Sequence, residues 1–349
     1  MLKKMDYLGK YFLTLLLVIS FCSALFAHQH KSSAGEVSVF SGRKEALIKP
    51  LLDKFSESSG IKVNLITAKS ASLLKRLELE GPNTTADVLI TSDVGRLHIG
   101  VEKDLFGKID NNIVSLVPKG YADKDLYWVG LSKRIRSIVY SKEKVDPKEL
   151  SNIEDLSSPK WKGKICVRSS NNIYNQSLVA SYIYLYGEKR ALEIVQGLVN
   201  NFAKKPSGND RAQVKSIAKG ECTIAIVNHY YYARMLLSKD KDQKEAAEKT
   251  DIFFLNQNSQ GSHTNISGIG LSKFSKNRDN AQKLISFLLN NDSQLWYAKV
   301  NNEYPVMNDI KTTNLLEGWG DIKLDYKSIP YLGRLNAQAV KLMDKVGWR

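Results

Sequence analysis

The chain has 349 residues, of which 43% are hydrophobic and 25% charged, a composition typical of a globular protein long enough for two domains. Its formal net charge is +15, and such a basic excess can serve nucleic acid, an anionic membrane or an anionic ligand. The lysines are spread along the whole sequence, and it contains no zinc-finger or RNP-type motif. These features argue against nucleic-acid binding and assign the charge to solvated surfaces.

The first 27 residues have the pattern of a secretory signal peptide. Lys3, Lys4 and Lys10 precede an apolar run that is short for a membrane span and ends in small residues. Removal of residues 1–27 on export would place the mature chain in the periplasm. Retention as a membrane anchor is the alternative, although the sequence VISFC before and at Cys22 is a poor lipid-attachment motif.

Strand-like and helix-like segments alternate through the first part of the mature chain. EVSVFSG, IKVNLIT and ADVLITSD predict strands, and each is followed by a segment with helical apolar spacing. Gly60 and Gly81 are predicted to end the first two of these helices. The βαβαβ order predicts an α/β fold with a mostly parallel sheet flanked by helices.

The same alternation continues towards the carboxyl terminus. WVGLSKRIRSIVYS, KICVRSS, CTIAIVN and NISGIGLSK predict strands, whereas YNQSLVASYIYLYG predicts a helix that ends at Gly187. NNEYPV is predicted to be a turn. Cys166 and Cys222 are compatible with a disulfide in an oxidising compartment, and equally with two buried thiols.

Three consecutive tyrosines, Tyr230 to Tyr232, stand between the predicted strand CTIAIVN and the helix after it. In open α/β sheets, ligands bind in the crevice outside the carboxyl ends of the strands. Asn228 is predicted to cap this helix. The stretch RSSNNIYNQ places Tyr174 at a second strand-to-helix junction, and VFSGRKE places Arg43 at a third.

Several phenol oxygens at one site would suit a hard, strongly polarising cation. Ca²⁺ and Mg²⁺ prefer carboxylates, carbonyls and water, and they compete weakly for a phenol with a pKa of about 10. Fe³⁺ can displace phenol protons, and three phenolates would balance its charge. Packing is the competing explanation, because most tyrosines are half-buried residues with the hydroxyl in water.

Long segments of the chain resemble the ferric-iron-binding proteins of bacterial ABC importers, a periplasmic-binding-protein group that is similar to one transferrin lobe. The segments that carry the resemblance are VFSGRKEALIKPLLDKF, ADVLITSDVGRLH, YWVGLSKRIRSIVYS, WKGKICVRSSNNIYNQSLVAS, NFAKKPSGNDRAQVKSIAKGECTIAIVNHYYYARML and NISGIGLSK. The resemblance implies that Tyr174, Tyr230 and Tyr231 are iron ligands and that Tyr232 packs instead. It also implies that the protein is a carrier and not an enzyme.

The sequence departs from this family at the turn after the first strand. Many members have a histidine or a His-Tyr pair there, whereas this chain has Lys44 and Glu45. Glu45 is therefore only a possible additional ligand, and the chain is more similar to members that complete the iron site with an anion such as carbonate, or with water. The candidates for contact with the anion or support of the tyrosines are Arg43, Arg134, Arg234 and Asn228.

The resemblance further implies a type II periplasmic-binding-protein fold, with the ligand between two lobes. Lobe 1 is predicted to contain residues 36–136 and 261–311, and lobe 2 residues 137–260 and 312–349. The expected partners are an inner-membrane permease and its ATPase, with the carrier itself a monomer. A carrier of a small inorganic or carboxylate anion is the alternative function.

Overall fold

The computed structural model describes residues 34–349, so the predicted signal peptide and Cys22 lie outside the described residues. Its strands, in chain order, are β1 (Glu36–Ser41), β2 (Lys62–Thr67), β3 (Val88–Thr91), β4 (Phe106–Gly107), β5 (Trp128–Ser141), β6 (Ile165–Cys166), β7 (Ile224–Asn228), β8 (Thr250–Phe253), β9 (Ser262–Ser272), β10 (Tyr304–Pro305) and β11 (Leu324–Asp325).

The α-helices surround this sheet. In chain order they are α1 (Glu45–Ser59), α2 (Ser70–Glu80), α3 (Val94–Glu102), α4 (Asn111–Val114), α5 (Ile153–Leu156), α6 (Ile173–Asn200), α7 (Asp210–Ala218), α8 (His229–Leu236), α9 (Lys241–Glu248), α10 (Arg278–Leu288), α11 (Asn291–Lys299), α12 (Asn314–Glu317), α13 (Ile329–Leu332) and α14 (Asn336–Lys345). No helix of the described region is long and apolar enough to cross a membrane.

The main path of the sheet runs β2-β1-β3-β9-β5-β7-β6. The predicted βαβαβ unit is confirmed, because β1 pairs in parallel with both β2 and β3. The prediction of a mostly parallel sheet does not hold for the whole molecule. β9 runs antiparallel to β3 and β5, and β5 runs antiparallel to β7, so the sheet is mixed. A run of apolar residues indicates a strand but does not reveal the direction in which it enters the sheet.

β5 is shared between two parts of the sheet. Its residues up to Ile135 pair with β9, and its residues from Arg136 onward pair with β7 and β8. All but one of its 14 residues are buried. One strand therefore joins the β1-β2-β3 region to the region that carries both tyrosine-bearing junctions.

The helix boundaries follow from local sequence. α1 buries Ile48, Leu51, Leu52 and Phe55, which recur at helical spacing, and it ends at Gly60 with a φ of 74°. Gly187 has a φ of 76° and interrupts α6, as predicted, although helical structure continues beyond it to residue 200. A glycine with a positive φ therefore ends one helix and kinks another.

Near the site, one prediction from the sequence is wrong, and one choice between two alternatives is settled. Tyr304 and Pro305, predicted to lie in a turn, form β10 and pair with β5. Cys166 and Cys222 form a disulfide with Cα atoms 5.9 Å apart, so the first of the two alternatives for this pair is correct. The disulfide lies in the region where β6 and β7 run side by side in parallel.

Candidate functional site

The three predicted tyrosine ligands lie together at two strand-to-helix junctions. Tyr174 is in the first turn of α6, and Tyr230 and Tyr231 are in the first turn of α8, directly after β7. The hydroxyl of Tyr230 lies close enough to the other two hydroxyls to affect their pKa values. The Tyr230 and Tyr231 ring centroids are 4.4 Å apart. Tyr230 is buried and the other two are half-buried, so the phenols meet below the surface.

Tyr232 points away from this cluster, as the family resemblance implied. Its hydroxyl donates hydrogen bonds to the carbonyl oxygens of Thr250 and Ala247, at 2.8 and 3.2 Å. The side chain is fully buried and packs near Trp319, with the ring centroids 6.4 Å apart. Adjacent tyrosines in the row therefore have different surroundings.

Arg134 places a buried positive charge against the phenols. Its Nη2 donates a hydrogen bond to the Tyr230 hydroxyl, and its Cζ lies 4.7 and 4.6 Å from the ring centroids of Tyr174 and Tyr230. Arg234 lies on the same ring, with its Cζ 5.2 Å from the Tyr230 centroid, and it donates to the carbonyl of Asn301 at 2.8 Å. Both arginines therefore lie close to the tyrosines, as predicted.

Burial and nearby charges act on the phenol protons in opposite directions. Burial raises the pKa of Tyr230 well above its usual value, against the charge of Arg134, and burial likewise raises the pKa of Tyr231 to about 12. Burial acts in the same direction on Tyr174, but the charge and hydrogen bond of Arg134 outweigh it and lower the pKa of that phenol. At neutral pH, Tyr230 and Tyr231 keep their protons unless a cation displaces them.

Arg43 is buried and paired with a carboxylate that the sequence did not single out. Its guanidinium contacts both oxygens of Glu303 at 3.1 and 2.7 Å, and the Ser132 hydroxyl at 2.9 Å. The Nε of Arg134 lies 3.8 Å from the same carboxylate. Burial alone would raise the pKa of Glu303, but Arg43 and Arg134 lower it to about 2. Glu303 is therefore ionised and shared by two guanidinium groups.

Asn228 does not cap α8, so that prediction is wrong. It occupies the position before the helix, but its side chain makes no capping hydrogen bond. Its amide instead donates to the Tyr230 hydroxyl at 3.2 Å and accepts from Arg136 at 3.2 Å. The stronger charge-assisted partner takes the oxygen that a cap would use.

A buried ionic network supports both junctions from behind. Asp210 accepts from Arg136 at 2.9 Å, from Arg168 at 3.2 Å and from the backbone N–H of Asn228 at 2.8 Å. Arg136 also donates to Asn175 at 2.6 Å, next to Tyr174. One carboxylate thus connects the start of α7 to both tyrosine-bearing helices.

Glu45, the possible additional ligand, is exposed, unlike the groups described so far. It is the first residue of α1 and is exposed, as is Lys44 before it, whereas Arg43 is buried. Within residues 34–349, no group of three or more histidine, cysteine, aspartate or glutamate side chains is arranged to hold a metal ion. The oxygen-rich cluster in this region is the one formed by the phenols.

Sequence reasoning missed Glu303, Asp210 and Arg136. Glu303 is 260 residues from Arg43 along the chain, and Asp210 is 74 residues from Arg136, so no local spacing links either pair. The signals that existed were weak: a charged residue in NNEYPV, and the charged residues of RIRS within an otherwise apolar strand. A buried charge needs a partner, so an arginine in a strand interior was a usable clue.

A small polar cavity lies beside the phenols. Its walls are Arg134, Arg136, Tyr174, Asn228, His263 and Asn265. Two of these side chains are guanidinium groups, and His263 is neutral because burial lowers its pKa to about 3. The cavity is therefore electropositive, and its volume of about 10 Å³ leaves room for about one water molecule.

Comparison with known proteins gives a matching family and a similar protein. Residues 51–322 match a family described as bacterial extracellular solute-binding protein. Iron uptake protein A1 of Synechocystis sp. is 42% identical over 315 residues, covering 90% of this chain and 88% of that protein.

Two solved structures show the same fold. The Trichodesmium protein IdiA (FutA), in complex with iron and citrate, is 41% identical with a TM-score of 0.87, covering 90% of this chain and all of that one. The ferric iron-binding protein A of Mannheimia haemolytica, in an open conformation, is 39% identical with a TM-score of 0.82, covering 90% and 99% of the two chains. This chain therefore belongs to the bacterial extracellular solute-binding protein family, has the type II periplasmic-binding-protein fold, and is similar there to iron-uptake and ferric-iron-binding members.

Proposed function

We propose that this protein captures ferric iron in the periplasm and delivers it to an ABC-type permease and its ATPase. The observation that carries the proposal is the convergence of the Tyr174, Tyr230 and Tyr231 hydroxyls beneath the surface, next to Arg134. Relatives that are named for iron uptake or ferric iron binding support the choice of metal.

The three phenols form the ligand set in this proposal. A trivalent cation displaces their protons, and three phenolates then neutralise it without leaving a net charge in a buried site. Fe³⁺ has the charge density to do this, whereas Ca²⁺ and Mg²⁺ favour carboxylates and water. Because each phenol must lose a proton, iron affinity falls as pH falls.

The remaining coordination positions are open to an anion or to water. The guanidinium groups of Arg134 and Arg136 beside Tyr174 have the charge to attract an anion such as carbonate, which would need more room than the cavity of about 10 Å³ between them provides. Arg43 has Glu303 as its buried partner, which leaves Arg134 and Asn228 as the groups that face the metal and its anion. Glu45 would have to move from its exposed position to contribute a ligand.

The site lies between two lobes in this proposal. Lobe 1 contains residues 36–136 and 261–311, lobe 2 contains residues 137–260 and 312–349, and β5 and β9 form the crossing segments. The change of strand partner on β5, from β9 at Ile135 to β7 at Arg136, supports the boundary near residue 136. A hinge motion there would open the site, as in other two-lobed binding proteins.

Ferric citrate added to the purified mature protein is expected to produce a visible tyrosinate-to-iron charge-transfer band. Tyr230→Phe should weaken iron binding by about 100-fold or more, because loss of a supporting group alone costs about 10- to 100-fold in metal sites. Competition with citrate, followed by absorbance, measures the affinity.

Tyr232→Phe is the matched control for this experiment. Tyr232 is as buried as Tyr230 and only two positions from it in sequence, but its hydroxyl binds backbone carbonyls outside the cluster. We expect a loss of about 1 kcal/mol in stability and no change in iron affinity. A colourless wild-type protein, or equal affinities for wild type and Tyr230→Phe, would reject the ligand assignment.

The two guanidinium groups beside Tyr174, those of Arg134 and Arg136, also favour a second candidate, a carrier of a small inorganic or carboxylate anion. The two functions differ in what stabilises the protein against heat. An anion carrier is stabilised by phosphate or a carboxylate alone and not by Fe³⁺, whereas an iron carrier shows the reverse or requires both.

A further inference from the structure

Two buried side chains join parts of the chain that the proposed function assigns to opposite lobes. Ser177, on α6, donates a hydrogen bond to Asp93 at the start of α3, with its Oγ 3.0 and 3.1 Å from the two carboxylate oxygens. Ser177 is 0% and Asp93 1% exposed, so this contact is shielded from water. Charge-assisted hydrogen bonds of this kind are stronger than neutral ones.

The contact lies next to the phenols. Ser177 is three residues after Tyr174, so both project from one face of α6. Ser92, which precedes Asp93, is within hydrogen-bonding range of the Tyr174 hydroxyl. Residues 92 and 93 of one proposed lobe therefore meet residues 174 and 177 of the other.

Asp93 is fixed within its own part of the chain without help from Ser177. It caps α3 by accepting from the backbone N–H of Gly95 at 2.8 Å, and it accepts from Asn265 Nδ2 at 2.9 Å. Asn265 in turn accepts from the backbone N–H of Val94 at 3.0 Å. The carboxylate is thus held in place, and a motion that separates α6 from α3 would break only its bond to Ser177.

We propose that Asp93 and Ser177 form a latch that holds the two lobes together over bound iron and so sets the rate of iron release. This inference rests on the proposed function. Neither residue is a metal ligand; both act through lobe closure. Opening must break the Ser177–Asp93 hydrogen bond before water can replace it at the carboxylate, so the latch slows release without altering the coordination of the metal.

The first test compares Ser177→Ala with Ser181→Ala. Ser181 is also fully buried on α6, but its hydroxyl donates to the carbonyl of Leu178 in the same helix at 2.6 Å. Iron-loaded proteins are mixed with excess EDTA, and the loss of the tyrosinate-to-iron band is followed. Ser177→Ala is expected to release iron about 10-fold faster than wild type, which is the effect of losing one such hydrogen bond.

The readouts separate a latch from other roles. The absorption band of Ser177→Ala should keep its wavelength because the ligands are intact, and Ser181→Ala should release iron within about twofold of wild type. Equal release rates in Ser177→Ala and wild type would overturn the latch. A shifted band in Ser177→Ala would also overturn it, because that result places the residue at the metal.

A second test does not need iron. Spin labels are attached at Lys75→Cys and Lys241→Cys, whose native side chains are 60% and 86% exposed and lie in the two proposed lobes. Without metal, Ser177→Ala is expected to shift the distance distribution towards the open form, while Ser181→Ala does not. An unchanged distribution in Ser177→Ala would reject the latch even in a protein that binds iron. Failure of wild type to bind iron would instead reject the proposed function.

Discussion

At the scale of single residues, the site depends on how a few buried charges are shared. Glu303 lies between Arg43 and Arg134, and Asp210 lies between Arg136 and Arg168. Each of these two carboxylates has two cationic neighbours, so together the six groups carry a positive balance and neither carboxylate is left unpaired. That balance favours the phenolates that the proposed iron site requires, and it would also favour an anion bound beside the metal.

Asp210→Asn is expected to destabilise the protein by about 3 to 5 kcal/mol, since it leaves Arg136 without its charged partner in a buried position. It should also weaken iron binding, because Asp210 holds the backbone of Asn228 beside Tyr230. Urea unfolding and iron competition measure the two effects.

Glu193→Gln provides the comparison for Asp210→Asn. Glu193 also pairs with an arginine, Arg190, but both side chains are about half exposed. Exposed pairs contribute little, so the change in stability should stay within about 0.5 kcal/mol. Similar losses of stability for the two substitutions would show that burial does not increase the contribution of the Asp210 ion pairs.

At the scale of elements, the sequence predicted those features that local patterns determine. Apolar spacing and glycines located α1, the break in α6 and the parallel β1–β3 unit, and the strand-to-helix junctions located the tyrosines. Pairings across the chain were not predictable in this way. Glu303 contacts Arg43 because the next two residues, 304 and 305, pair with β5. The sequence NNEYPV contains no pattern that predicts this strand.

The disulfide is predicted to stabilise the region that carries both junctions. Cys166 and Cys222 are 56 positions apart, and closing a loop of that length restricts the unfolded chain by about 4 kcal/mol in the chain-entropy treatment. The Cys166→Ser, Cys222→Ser double variant should therefore lose about 2 to 4 kcal/mol in urea unfolding.

Iron affinity is a second readout for the double variant. β6 contributes only residues 165 and 166 to its ladder with β7, so the disulfide is a large part of what holds these strands together near the site. We expect weaker iron binding in the double variant, and the same loss in wild type unfolded and refolded under reducing conditions. Unchanged stability in both would contradict this role.

At the scale of the whole molecule, β5, which is shared between two parts of the sheet, also supplies two arginines of the site. Arg134 and Arg136 are two positions apart on β5 and so point to the same face. Arg134 contacts the phenols and Arg136 contacts Asp210, on either side of the point where β5 changes its strand partner. A hinge at this point would move the cations relative to the lobes and thereby couple closure to the charge of the site.

The stability of the whole molecule is expected to fall in mild acid because two histidines are buried without charge. Burial lowers the pKa of His229 to about 4 and that of His263 to about 3, from an ordinary value near 6.5. Between pH 6.5 and these values, the unfolded chain binds protons that the folded chain does not. The contribution of the two histidines to the free energy of unfolding is therefore fully present above pH 6.5 and is lost as pH falls. Glu303, with a pKa of about 2, adds a further loss only below about pH 4.5.

His263→Asn isolates one part of this acid sensitivity at a residue that is not itself a proposed ligand. From pH 7 to pH 4.5, wild type should lose about 2 to 3 kcal/mol more than the variant in urea unfolding, because the linkage from His263 is absent in the variant. The difference between the two proteins at pH 8, where the histidine is neutral in both states, reports the packing change alone and is subtracted. Parallel stability curves for wild type and variant over this range would mean that protonation of His263 in the unfolded chain does not drive the loss.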